Sequence, residues 1–201
     1  EGSRLWSADL PGRVTAPPVL GAGRLYLLLR PGILAARDPA DGDPLWQAPL
    51  PDLATARPLA DAGGVVVACL DGTVLAFDPR GEKRWEVRVD APVSLPPAWT
   101  GEHLLILPAA RRALFLDRGE GKVVRTLELP QAAGAGAGVA ADRIFIGLES
   151  GQMLALDAAT LELLWRYQGK GRGGITAPAR GEGRLLILPA PGHRVVAFAL
   201  R

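Results

Sequence analysis

Short apolar runs alternate with glycine- and proline-rich turns along this chain, and no segment carries an apolar stripe at helical spacing. Five of the runs are continuous: Leu25–Leu29, Val65–Val67, Leu104–Leu107, Ile144–Ile146 and Leu185–Leu188. Runs without alternation predict strands covered on both faces. Others alternate, as in Arg84-Trp85-Glu86-Val87-Arg88-Val89, and predict strands with one face in water. Asp71-Gly72 and Gly192-His193 have the length and residue types of two-residue hairpin turns. The first stretch reads as four strands: Val14–Leu20, Arg24–Arg30, Ile33–Asp38 and Leu45–Leu50.

This four-strand pattern recurs. Ala36-Arg37-Asp38, Gly42 and Trp46 in the first unit are matched by Ala76-Phe77-Asp78, Gly81 and Trp85 in the second. The third keeps Asp117 and Gly121 but has Arg125 in place of Trp, and the fourth keeps Asp157 and Trp165 but has Leu161 in place of Gly. A fifth unit begins at Val195-Val196-Ala197-Phe198 and stops, while Gly2 and Trp6 supply its missing half at the other end. Trp6, Trp46, Trp85, Arg125 and Trp165 follow one another at about 40 residues, the length of a propeller blade. The fold class expected is all-β: a five-bladed β-propeller of four-stranded antiparallel blades, closed by the N-terminal strand completing the last blade. The blades fall near 14–50, 56–89, 93–129, 136–169 and 175–201 with 1–10, in a single domain. Closure is expected because an open array leaves a sheet edge unpaired and two blade faces bare.

The repeats resemble those of the pyrroloquinoline-quinone-type (PQQ-like) propeller family, whose signature is approximately Ala-x-Asp-x-x-Thr-Gly-x-x-x-Trp. Ala76, Asp78, Gly81 and Trp85 match it, as do Ala36, Asp38, Gly42 and Trp46, while Ala155, Asp157, Thr160 and Trp165 match without the Gly. The resemblance implies that Trp wedges between neighbouring blades and that Asp and Gly shape the turn before it. Quinoprotein dehydrogenases of the family use an adjacent cysteine pair, a calcium site with Glu and Asn, and a catalytic Asp. This chain has a single cysteine, Cys69, and no Asn, so no cofactor is expected. Envelope-assembly lipoprotein propellers share the repeat type. Similarity to them implies a noncatalytic scaffold for protein partners, in the periplasm or on the envelope.

Charge and composition change this picture little. A net charge of +2 on 201 residues makes no strong demand for nucleic acid or an anionic membrane. No run approaches the roughly 18 apolar residues of a membrane span. No signal or anchor segment is visible, and the chain opens on Glu1 without a methionine, so a preceding segment is expected to have been removed or left out. With one cysteine, no intrachain disulfide can form.

Candidate chemistry is sparse. Asp38, Asp78, Asp117 and Asp157 are explained by the repeat, and Asp9, Asp52, Asp61, Asp71 and Asp90 have no spacing of a catalytic pair. His103 and His193 lack ligand-spaced partners, so neither a catalytic nor a metal site is expected. Gly134–Gly138 reads as a flexible approach to the fourth blade's inner strand. In a propeller, turns between second and third strands share a rim with the blade-to-blade connections. Arg13, Asp52, Arg111, Arg112, Lys170, Arg172 and His193 fall there, a set in which basic residues outnumber acids. Arg13, Arg111, Arg112, Lys170, Arg172 and His193 are therefore the candidate partner-binding residues, suited to an acidic segment because Arg bonds carboxylates in a two-pronged way. The ring itself is expected to be monomeric. Two alternatives stand beside the scaffold: a lectin-like module for a small ligand or carbohydrate, and an accessory domain of a longer enzyme.

Overall fold

The computed structural model describes residues 2–140, 142–170, 173–182, 185–192 and 194–200. Strands arranged in five antiparallel sheets account for its regular structure, with no helix among the described residues. The first sheet holds β1 (Val19–Gly21), β2 (Arg24–Leu29), β3 (Ile33–Arg37) and β4 (Pro44–Pro49), and the second β5 (Leu59–Asp61), β6 (Gly64–Ala68), β7 (Thr73–Phe77) and β8 (Lys83–Arg88). The third holds β9 (Ala98–Thr100), β10 (His103–Ile106), β11 (Arg112–Asp117) and β12 (Val123–Glu128), and the fourth β13 (Gly138–Ala140), β14 (Arg143–Gly147), β15 (Gln152–Asp157) and β16 (Leu163–Gln168). The last has three strands: β17 (Arg180–Glu182), β18 (Leu185–Ala190) and β19 (Arg194–Ala199). Each sheet pairs its strands in chain order, the meander of a propeller blade. The chain divides into two compact units, one carrying the first two sheets and residues 119–121, the other carrying the last three sheets.

The continuous apolar runs are the buried second strands, as their lack of alternation requires. In the first unit Tyr26, Leu28, Leu34 and Ala36 of one sheet face Val65, Val67, Leu75 and Phe77 of the next. In the second unit Phe145, Met153 and Ala155 meet Leu186 and Leu188, with Val196 and Phe198 packed beside them. The innermost strand of the first sheet is shorter than the pattern predicts. The strand expected over 14–20 begins only at Val19, because Pro17 and Pro18 have no N–H to give to a ladder, and Val14 keeps a lone bridge to Leu29. Pro58 and Pro97 stand at the same point before β5 and β9.

The Trp residues perform the wedging expected of them. Trp6 lies over Gly42, Trp46 over Gly81 and Trp85 over Gly121, so close that a Cβ on these glycines would sit 2.5, 2.7 and 2.5 Å from an indole carbon. Indole N–H groups of Trp6 and Trp46 donate to the carbonyls of Pro39 and Pro79 in the same turns, each at 3.0 Å. The ladder partners of Trp46, Trp85 and Trp165 are Ala36, Ala76 and Ala155, small residues that leave room for the ring.

Where the Trp is missing, its neighbours change with it. Arg125 pairs with Phe115 instead of Ala, and the next turn has Leu161 instead of Gly, both buried. The Arg125 Nη1 donates to the Thr160 carbonyl at 2.7 Å, replacing the bond an indole N–H makes elsewhere. Ring volume has moved from the outer strand to the strand beside it and to the facing turn.

Two expectations need amending. Gly134–Gly138 is not an unpacked approach: a Cβ on Gly134 would stand 2.5 Å from the Ile175 carbonyl oxygen, and Ala135 is buried, so closeness of the next inner segment demands the glycines. Residues 2–10 form no strand, and β19 pairs with β18 alone among the described residues, so the expected N-terminal fourth strand beside β19 is not among the strand pairs. The N-terminal segment is instead anchored by side chains on the first sheet. Arg37 Nη2 donates to the Asp9 carbonyl, and Leu10 and Val14 cover Leu27, Leu29 and Ala35.

Candidate interaction rim

In each unit the turns between second and third strands meet the connections between sheets through backbone hydrogen bonds. In the first, Leu70 N donates to Leu53 O, Val93 N to Cys69 O, and the Thr15 hydroxyl to Ala54 O. In the second, Glu149 N donates to Ala132 O, Gly134 N to Gly147 O and Ile175 N to Leu148 O. These bonds tie tip and connection into one rim, fixing the backbone from which its side chains project.

The rim of the first unit is balanced. Arg13 is exposed there, its carbonyl taking a bond from Arg30 N, with Arg30 and Arg57 alongside. Against them stand Asp52, Asp71 and Asp90, and the Asp71 carboxylate is engaged by the Thr73 amide and hydroxyl at 2.9 and 2.8 Å. The second unit is more basic. Arg111 is exposed at the hairpin tip, Arg112 is half-buried where β11 begins, and Lys170 is exposed after β16. Arg111 is bound into its own blade as well: its carbonyl accepts from Leu129 N at 2.9 Å and its Nε donates to Leu129 O at 3.4 Å. Glu149, not among the residues expected there, is exposed at the tip between β14 and β15 and places an acid on the same rim. Arg172 and His193 lie outside the described residues. The second unit thus holds Arg111, Arg112 and Lys170, and the first holds Arg13.

The family of the outer membrane protein assembly factor BamB matches residues 1–134 and 71–200. The chain belongs to this family. No curated protein matches it in sequence. Among solved structures, BamB from Moraxella catarrhalis is 19% identical and superposes with a TM-score of 0.81 over 96% of this chain and 64% of its own. A computationally designed protein, Ika8, is 18% identical with a TM-score of 0.84 over 98% and 61%. BBS1N, solved in complex with ARL6DN, is 15% identical with a TM-score of 0.75 over 94% and 62%. The chain spans under two thirds of the length of each of these structures, and the shared feature is the fold.

In this BamB-family chain the recurring acids are engaged in turns. Asp38 Oδ1 accepts from Ala40 N, and Asp157 Oδ1 from Ala159 N and Thr160 N. Those amide bonds, Thr160's foremost, hold the Asp157 carboxyl below the usual carboxylate range. At Asp78 burial works the other way, but the amides of Glu82, Arg80 and Gly81 together outweigh it and lower its pKa too. No group of three His, Cys, Asp or Glu side chains arranged for a metal ion occurs among the described residues. Cys69 is fully buried, and burial pushes its thiol up to about 12. Since the thiolate is the reacting species, an aromatic disulfide reagent at pH 8 should label Cys69 only after the chain is unfolded. Absorbance of the released thiol checks this, and fast labelling of the native protein would contradict it.

Proposed function

We propose that this protein is a noncatalytic scaffold that binds protein partners in an assembly of the cell envelope. The observation carrying the reading is where the repeat residues go. Asp and Trp side chains, which could be taken for chemistry, are engaged in turn bonds and in packing on the glycine turns. Exposed charged side chains, Arg13, Arg111 and Lys170 among them, project from the rim. Membership of the BamB family, whose description names outer membrane protein assembly, supports an envelope assembly, and with it we place the protein in the periplasm or on the envelope.

Within this reading the rim of the second unit binds an acidic segment through Arg111, Arg112 and Lys170. Guanidinium groups bind carboxylates with paired hydrogen bonds, and exposed charges of one sign also speed encounter. Replacing both Arg111→Glu and Arg112→Glu should reduce partner capture from an envelope extract at least tenfold, with the thermal melt within a few degrees of the native protein. Mass spectrometry of chemically crosslinked eluates measures the capture. Equal capture by the charge-reversed protein at an unchanged melt would end the acidic-segment reading.

A further inference from the structure

The hairpin tip that carries Arg111 departs from the repeat. Seven residues separate the ladder partners Ile106 and Leu114 across the β10–β11 turn, against five between Ala68 and Val74, five between Gly147 and Met153 and three between Leu29 and Ile33. Each of these three shorter tips contains a glycine at positive φ: Gly72, Gly151 and Gly32. The longer one has no glycine and runs Leu107-Pro108-Ala109-Ala110-Arg111-Arg112-Ala113. Pro108 is buried, and its carbonyl accepts from Ala110 N at 2.6 Å, so the extra length is folded into a three-residue turn of its own. The other sheets close the same connection with fewer residues, so the fold does not require the insertion. Loops that exceed what the scaffold needs are where recognition residues concentrate.

Arg111 and Arg112 leave this tip in different ways. Arg112 sits opposite Glu128 in the β11–β12 ladder, half-buried, with its Nε shielded from solvent. Arg111 is exposed and bonded twice to one residue: its carbonyl accepts from Leu129 N, and its Nε donates to Leu129 O. The side-chain bond directs the guanidinium and occupies the edge of the fork that uses Nε. Among the described residues neither Nη1 nor Nη2 of Arg111 has a partner. What remains is the end of the fork, where two parallel N–H groups match the two oxygens of a carboxylate. Ala109 and Ala110, the residues before it, bring no polar side chain to compete for that edge.

We propose that Arg111 is the specificity-determining residue of this rim. Its Nη1 and Nη2 grip one carboxylate of the partner end-on, while Arg112 and Lys170 supply positive potential around it. The proposal rests on the acidic-segment reading above and adds which residue reads the acid and in what geometry. Holding the side chain by its Nε before the partner arrives lowers the ordering cost of binding. A lysine in its place keeps the charge but offers a point charge instead of a planar fork, so the site distinguishes shape as well as sign.

Fluorescence anisotropy of a labelled octaglutamate peptide, titrated with the intact chain at low salt, is the test. Arg111→Lys should weaken binding about tenfold, the loss of one paired charge-assisted contact, with the thermal melt unchanged. Arg112→Lys should stay within about twofold of the native chain, because it preserves the positive potential that is all Arg112 supplies. If Arg111→Lys binds as tightly as the native chain while the Arg111→Glu, Arg112→Glu double variant does not, the fork is wrong and the acidic-segment reading stands. An equal loss in both lysine variants would also overturn the assignment, since it would make the two arginines interchangeable. An absence of saturable binding by the native chain would sink the assignment together with the reading beneath it.

Discussion

Trp46→Ala should destabilise the first unit by about 3 kcal/mol, the low end of the range for removing a large aromatic side chain, since the ring is only partly buried. Three losses combine. The indole leaves contacts with Tyr26 and Phe77 at 5.9 and 6.2 Å, uncovers the Gly81 turn, and abandons the Pro79 carbonyl. Nothing nearby can fill the gap, because its ladder partner is Ala36. The midpoint of urea unfolding measures the effect, with an unchanged slope showing that the unfolded state is not responsible. A midpoint equal to that of the native protein would mean the indole is a passenger.

Gly81→Leu attacks the same interface from the other side, with an expected cost of about 2–5 kcal/mol from overpacking and backbone strain together. Gly81 has a φ of +90°, and its missing Cβ would meet the Trp46 ring at 2.7 Å. Conformation and space are separable here. Gly101 has a φ of +70° with nothing within 4 Å of a Cβ, so Gly101→Ala should show the conformational part alone, about 1 kcal/mol. Leu161 also adopts a left-handed φ, +58°, in the turn whose Thr160 carbonyl accepts from Arg125 of β12, an outer strand without an indole. If Gly81→Leu costs no more than Gly101→Ala, contact with the ring is not what selects glycine.

Much of this architecture is legible in the pattern of residues, for physical reasons that differ by element. The second strands show themselves because both faces are covered, leaving no polar alternation in Leu104–Leu107 or Val65–Val67. The rim residues at hairpin tips follow from topology, which places Arg111 correctly once the strands on either side of it are known. Glu149 carries no such signal, because no turn residue in the pattern fixes the tip between β14 and β15 before the strands are seen. The first inner strand looks longer in the pattern, Val14–Leu20, than it is, because its apolar character continues through Pro17 and Pro18, where the ladder cannot. The N-terminal segment shows the limit of repeat arithmetic. Trp6 takes its place over Gly42 as the register requires, yet residues 2–10 pair with no strand, because spacing specifies where a side chain packs and not which backbone it bonds. Arg125 and Leu161 look like decay of the repeat when read singly. Only the fold reveals them as replacements across one interface, together with Phe115.

That last relation puts the central claim, that the repeat residues exist to lay an indole on the next glycine turn, to its most direct test. Phe115→Ala, Arg125→Trp and Leu161→Gly together recreate the arrangement around Trp46. Each change alone should destabilise, by about 2–5 kcal/mol for the two truncations and 1–3 kcal/mol for the insertion. Urea unfolding of the triple variant should bring stability back to within about 1 kcal/mol of the native chain, far from the sum of the single effects. A triple variant as unstable as that sum would contradict the account.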